Sequence, residues 1–216
     1  MIVLDAKLKK ELQKKYQDEQ VLIIPTQHLS SIGDRFTKIS SIEEGIAKVD
    51  KLMLNSKYVY RYDAEYNSAF QQVIPYCVIR NRAGNKFFVN ERLSGETRLV
   101  SNLSLGFGGH INPEDGRHNA LYNGLIRELN EEVSLPENTD KRLIGYVRDL
   151  TSDLTDHTGF IFELTTANMS ETKIKETDKM NGYWSSLDEL ADNYYRFEGW
   201  SRYLIDYYYD QRKNNM

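Results

Sequence analysis

The sequence predicts a mixed α/β fold of the α+β kind, and three observations carry that prediction. Leucines recur at helical spacing near the start (Leu4, Leu8, Leu12). Two apolar runs, Gln72–Asn81 and Lys86–Asn90, flank a turn at Arg82-Ala83-Gly84-Asn85 and read as a β-hairpin. Further on, the glycine-dense segment Leu105-Gly106-Phe107-Gly108-Gly109-His110-Ile111 leads into helical spacing at about 119–133.

Taken in order, the leucine stripe among Lys, Glu and Gln predicts an amphipathic first helix, followed by a short strand at Val21-Leu22-Ile23-Ile24-Pro25. Ser41 with Glu44 three residues later has the form of a capping box. Ile42, Ile46, Val49 and Leu52 then continue at helical spacing, which predicts a second helix over about 42–54. The hairpin comes next, then a polar loop carrying Arg92, Glu96 and Arg98. Glycine at 106, 108 and 109 allows backbone to approach a ligand or metal closely. After the helix at 119–133 come strands over Leu143–Asp149 and Gly159–Thr165, and helices near 187–192 and 197–211. The change of pattern at residue 70 suggests a helix–strand–helix extension over 1–69, packed on a main domain of 70–216.

The bulk properties exclude several classes. The chain has 216 residues, of which 40% are hydrophobic and 28% charged, ordinary usage for a globular protein with a buried core. No apolar run approaches the ~20 residues of a membrane helix. The N-terminal stretch lacks the pattern of a signal peptide, so a cytoplasmic protein is expected. A net charge of −4 argues against binding extended nucleic acid through a basic face, yet leaves room for a local basic pocket and a small phosphorylated partner. The single cysteine, Cys77, lies within Val73-Ile74-Pro75-Tyr76-Cys77-Val78-Ile79 and reads as a buried strand residue rather than a reactive thiol.

The stretch richest in chemistry is Arg127-Glu128-Leu129-Asn130-Glu131-Glu132-Val133-Ser134-Leu135. On a helix Glu128, Glu131 and Glu132 project to one side within reach of a common ion. Arg127 stands one turn before Glu131, where it can pair with that acid and leave Glu128 and Glu132 as hard oxygen ligands of the kind magnesium selects. Like charges at this spacing cost a helix roughly 0.2–0.5 kcal/mol per pair. The acids also crowd the last turns before Pro136, where the helix dipole disfavours anions. A bound divalent cation relieves both costs; a solvated acidic face is the plain alternative.

The residues around this stretch resemble the signature of the Nudix hydrolase family. That signature runs glycine, five residues, Glu, seven residues, then Arg-Glu-apolar-any-Glu-Glu-any-Gly-apolar. Gly108 is followed by five residues and Glu114, and the second half matches at Arg127 to Leu135. Twelve residues, Asp115 to Ile126, replace the usual seven, which leaves the first acid of the motif open between Glu114 and Asp115; Ser134 stands where glycine is expected. The runs Ile74–Val78, Gly108–Asp115 and Trp184–Leu190 are similar to a bacterial subgroup of Nudix phosphoesterases, so the likeness covers roughly residues 70–210.

The resemblance implies an α/β/α sandwich around a mixed sheet, and a magnesium-dependent hydrolase, with manganese as alternative ion, acting on acid anhydrides in phosphorus-containing compounds. The substrate implied is a nucleoside diphosphate-linked or related organic pyrophosphate. It implies metal binding by Glu128, Glu131, Glu132 and the Gly108 carbonyl, and catalytic roles for Glu128, Glu131 and Arg127. For the general base Glu128, Glu176 and Asp178 stay open. Arg92, Arg98 and His110 are the candidates for gripping substrate. A homodimer is compatible with the family, and a non-catalytic sensor of a phosphorylated metabolite is the alternative function.

Overall fold

The structure, a computed structural model, describes residues 6–93, 102–150 and 156–214. Its helices are α1 (Ala6–Tyr16), α2 (Ile42–Met53), α3 (Arg61–Ala64), α4 (Ala120–Glu132), α5 (Leu187–Asp192) and α6 (Gly199–Asn214). Its strands are β1 (Gln20–Pro25), β2 (Arg35–Lys38), β3 (Lys57–Tyr60), β4 (Phe70–Asn81), β5 (Lys86–Arg92) and β6 (Leu103–Ser104). After these come β7 (Gly106–Gly108), β8 (Val133–Ser134), β9 (Asp140–Arg148), β10 (His157–Thr166), β11 (Lys173–Ile174) and β12 (Met180–Ser186). The predicted helices and the hairpin are all present among the described residues, with Leu4 of the first stripe lying outside them. β2, β3 and α3 fall in stretches that carry no periodicity of their own.

Among the described residues one sheet has ten strands, with the path β12-β5-β4-β10-β9-β2. Most of its neighbours are antiparallel, but β4 and β10 run parallel. The Gln72 N–H bonds the Asp156 carbonyl at 2.6 Å and the Arg82 N–H bonds the Thr166 carbonyl at 2.8 Å, so both strands advance together. The sheet is therefore mixed, as the resemblance implies. β4 is buried without interruption from Gln71 to Ile79, and a strand covered on both faces reads as a continuous apolar run rather than an alternating one.

The chain forms two compact units, each drawing on several segments. The first comprises Met1–Pro75, Gly109–Leu125 and Gly145–Phe160. Residues 6–69 thus share a unit with later parts of the chain. β1 is its inner strand: Val21 faces Val59 of β3, and Ile23 faces Gln72 of β4. Val21, Ile23 and Ala64 form a fully buried cluster with Val59 and Phe70 packed on it. Arg61 ties the surrounding helices down, bonding Glu19 at 2.9 Å and Glu65 at 3.0 Å.

Helix α2 sits differently from its sequence stripe. Ile42 and Ile46 are 64% and 55% exposed, and the face turned inward carries Gly45 and Leu52. The glycine is the reason. A Cβ at Gly45 would lie 2.7 Å from the Ile39 side chain, and the Gly45 carbonyl accepts the Tyr146 hydroxyl at 3.2 Å, so the helix approaches closest where it has no side chain. Ser41 caps the helix by accepting the Glu44 N–H at 3.2 Å, which is one half of the predicted capping box.

The second unit comprises Tyr76–Gly108, Ile126–Ile144 and Ile161–Met216. Its hairpin closes through Asn81, whose side-chain oxygen accepts from Asn85 and Lys86, and through Gly84 at φ 74°, a left-handed conformation that favours glycine. Aromatic contacts fill its core: Phe88 lies between Phe107 and Trp184, and Phe87 meets Tyr208 with ring centres 4.7 Å apart. Among the described residues no helix is long and apolar enough to cross a membrane.

Candidate metal and active site

The site is built at the C-terminal end of α4, within the second unit. The helix stops at Glu132, and Val133 and Ser134 continue as β8, pairing with Ile174 and Lys173 of β11. Ser134 is thus part of a strand pair, which is why this helix exit needs no glycine. The next residue after β11, Lys175, donates its N–H to the Glu132 carbonyl at 2.8 Å and its ammonium to the Asn130 carbonyl at 2.6 Å. A cation on the last carbonyls suits both the orphan acceptors and the negative end of the helix dipole.

Lys175 thereby anchors the start of a turn at Glu176–Lys179, closed by the Glu176 carbonyl accepting from Lys179 and Met180 at 2.9 and 3.0 Å. β12 then begins with Met180 opposite Arg92 at the end of β5. The segment 175–180 therefore brings Glu176 and Arg92 to the end of the carboxylate helix. Lys179 pairs with Glu176 at 2.6 Å.

Glu132 lies at the centre of this group. It is only 9% exposed, and among the described residues its Oε2 has no hydrogen-bond partner. Burial pushes its carboxyl up to about 7; Arg92 works against this, and the charges of Glu128, Glu176 and Glu131 add to it. The Cys77 thiol is driven up by burial and, to a lesser extent, by the Glu132 charge. Cys77 is a buried core residue opposite Phe107, consistent with its reading as such.

Arg127 departs from expectation. It holds Glu128 at 2.7 Å and only reaches Glu131 at 3.5 Å, so Glu128 is not left unpaired. The Glu128 side chain is 15% exposed and that of Glu131 55%; the deeper carboxylate, less screened by water, draws the guanidinium. Among the described residues no group of three or more His, Cys, Asp or Glu side chains stands ready to hold a metal ion. The donors nevertheless fit one. Glu132 presents a buried, unpartnered anionic oxygen whose proton affinity is raised by acids around it, and hard oxygen donors of this kind suit a divalent cation.

The glycines hold the neighbouring backbone. Gly106, Phe107 and Gly108 of β7 pair with Val78, Cys77 and Tyr76. A Cβ on Gly106 would lie 2.2 Å from the Tyr76 ring, so only glycine fits. The Gly106 carbonyl accepts from Asn90 and from Ser104, both at 2.9 Å. The Tyr76 hydroxyl in turn joins Ser104, Ser201 and Glu198 at 3.0, 3.0 and 2.8 Å. Sequence reasoning missed this network, because its members lie far apart in the chain and none belongs to a local pattern.

Two of the remaining candidates, His110 and Asp115, have partners of their own. His110 belongs to the first unit, where its ring meets that of His157 with centres 5.5 Å apart; His157 pairs with Asp156 at 2.7 Å. Asp115 is buried and turns its loop, its carboxylate accepting the Asn112 N–H at 2.9 Å, while Glu114 is exposed. Asp178 acts on Lys179 and is not among the main charges acting on Glu132. Arg98 and Glu96 lie outside the described residues.

No protein-family model matches the chain. Protein YmaB of Bacillus subtilis (strain 168) is 32% identical over 207 residues, covering 88% of this chain and 97% of that protein. The crystal structure of Tm1382, described as a candidate Nudix hydrolase, is similar with TM-score 0.70 and 27% identity, over 87% of this chain and 97% of that one. The chain belongs to the YmaB family, and its fold is that of the Nudix hydrolases. DR0079 from Deinococcus radiodurans, with TM-score 0.50 and 15% identity over 63% of this chain and 82% of that one, attests the fold alone. The Nudix hydrolase fold suggests pyrophosphate hydrolysis in general, and hydrolases of that fold generally use divalent metal ions.

Proposed function

We propose that the chain is a magnesium-dependent hydrolase that cleaves the phosphoanhydride bond of a nucleoside diphosphate-linked or related organic pyrophosphate. The observation that carries this reading is Glu132: a buried carboxylate with an unpartnered oxygen and a proton affinity raised to about 7 by burial and by acids beside it. Such a group is costly in a protein that has no use for it, and perturbed carboxylates of this kind concentrate at functional sites.

Glu132, Glu128 and Glu131, with the Gly108 carbonyl, would hold the cation. When bound, a divalent cation neutralises diphosphate oxygens and activates water for attack on phosphorus. The other tasks fall to the chain's own groups. Arg127 orients Glu128 and lies within reach of Glu131. Arg92, whose charge already bears on the cluster, is suited to grip a phosphate oxygen. Glu176, on the turn anchored by Lys175, and Glu128, on α4 itself, are the proton acceptors placed at the helix end. Lys179, paired with Glu176, holds that carboxylate in place.

The test is release of phosphate or nucleotide from a panel of nucleoside triphosphates, dinucleoside polyphosphates, nucleotide sugars and dinucleotide cofactors, each with magnesium and with manganese. Turnover of a member of the panel, lost in Glu132→Gln, is the expected result. Failure of every compound with both metals would overturn the catalytic reading and leave a binding module that does not turn its ligand over.

A further inference from the structure

Away from the carboxylate cluster, the second unit contains a cavity of about 560 Å³ between the hairpin turn, the start of α5 and the last turns of α6. That volume lies in the ~300–1,000 Å³ range of small-molecule sites. Arg80, Lys86 and Arg212 enter its wall from β4, β5 and α6, Asp188 is its acid, and Phe87 and Tyr208 form an aromatic side.

The cations are not all spent on their partners. Arg80 uses its Nε on Glu163 at 3.0 Å, and its two terminal nitrogens make no hydrogen bond among the described residues. Nη1 lies under Gly84, where a Cβ would come within 3.0 Å of it, so the glycine leaves that end of the guanidinium uncovered. Glu163, 2% exposed, is shared: it also takes two bonds from Arg142, at 3.0 and 2.7 Å, and the Tyr208 hydroxyl at 3.0 Å. At the rim Lys86 stands 3.5 Å from Glu189 and Arg212 2.7 Å from Asp188, exposed pairs of the weak and exchangeable kind. Counting these partners, the cations Arg80, Lys86, Arg142 and Arg212 outnumber the carboxylates Glu163, Asp188 and Glu189.

We infer that this cavity is a second binding site, separate from the carboxylate cluster, for a phosphate group carried either as the inorganic ion or as a small monoester. A phosphate offers terminal oxygens to cations arriving from several directions, and the planar Arg fork matches that geometry. Displacing Asp188 from Arg212 exchanges a single charge for one nearer two.

The experiment is a calorimetric titration of the full chain in chelator, so that no divalent cation takes part, with inorganic phosphate and with adenosine monophosphate. Arg80→Gln disturbs the buried Glu163 cluster, so the exposed rim variants Lys86→Gln and Arg212→Gln carry the test. Each is expected to weaken binding by about tenfold, the loss of one charge-assisted contact, while Glu132→Gln leaves it unchanged. Tighter binding of the monoester would identify it as the source of the phosphate, and equal binding would identify the free ion. No binding by the wild type at millimolar ligand, or binding indifferent to both rim variants, would overturn the inference. Because turnover is not the readout, the result is independent of the proposed activity.

Discussion

Arg127 and Glu128, neighbours in the chain, form an ion pair of 2.7 Å on α4. The guanidinium thereby neutralises an acid that a divalent cation would also claim. Arg127→Gln removes that neutralisation and leaves Glu128, Glu131 and Glu132 to repel one another. The variant is expected to be less stable without metal by on the order of 1–2 kcal/mol, and to gain more from magnesium than the wild type does. Thermal melts with and without magnesium check this; a variant as stable as wild type without metal would contradict it.

A second prediction concerns pH. The Glu132 carboxyl keeps its proton up to about pH 7, against an ordinary value of 4.5, because burial and neighbouring acids disfavour the charge. In the unfolded chain the proton leaves near the ordinary value. The folded state is therefore favoured in full below about 4.5, loses stability as pH rises through the window to about 7, and levels off above it. The size is on the order of 3 kcal/mol. Denaturant unfolding of the metal-free protein across that window should show this slope in the wild type and not in Glu132→Gln.

Gly106→Ala tests the backbone beside the cluster. The added methyl would meet the Tyr76 ring at 2.2 Å and the Cys77 carbonyl at 2.7 Å, and neither can give way in a buried strand pair. A loss on the order of 3 kcal/mol is expected, measured by chemical denaturation. A loss below about 1 kcal/mol would show that β7 tolerates the shift.

Removing residues 1–68 takes away β1 and β3, with Val21, Leu22, Ile23 and Ile24 all buried, and the bond from Leu22 N–H to the Ile111 carbonyl at 2.9 Å. The truncated chain is expected to be insoluble or largely unfolded, judged by circular dichroism and solubility. A soluble, cooperatively melting product would show that these residues are dispensable to the first unit.

The parts of this molecule legible in the sequence are those written locally. Helix α4 and its acids, the Ser41 cap and the hairpin around Gly84 each declare themselves within a few neighbouring residues. What the sequence conceals is decided by partners distant in the chain. The face of α2 depends on Gly45 meeting Ile39 and Tyr146, and the choice of Arg127 between Glu128 and Glu131 depends on which is deeper. Lys175 and the turn behind it carry no motif, yet they bring Glu176 and Arg92 to the helix end. Glu163 reads as one more strand residue, and only the fold gathers Arg80, Arg142 and Tyr208 around it.

On the proposed reading Glu132 is buried, its Oε2 without a hydrogen-bond partner among the described residues, because it serves a divalent cation. The most direct measurement is the shift in melting temperature on adding magnesium at a pH above 7, for the wild type and for Glu132→Gln. Above that pH the carboxyl is ionised and its burial cost is greatest, so a cation that binds there restores the most stability. A clear magnesium-dependent rise is expected in the wild type, with a variant that is more stable without metal but gains little from it. A wild type indifferent to magnesium, or a variant that gains as much as the wild type, would contradict it.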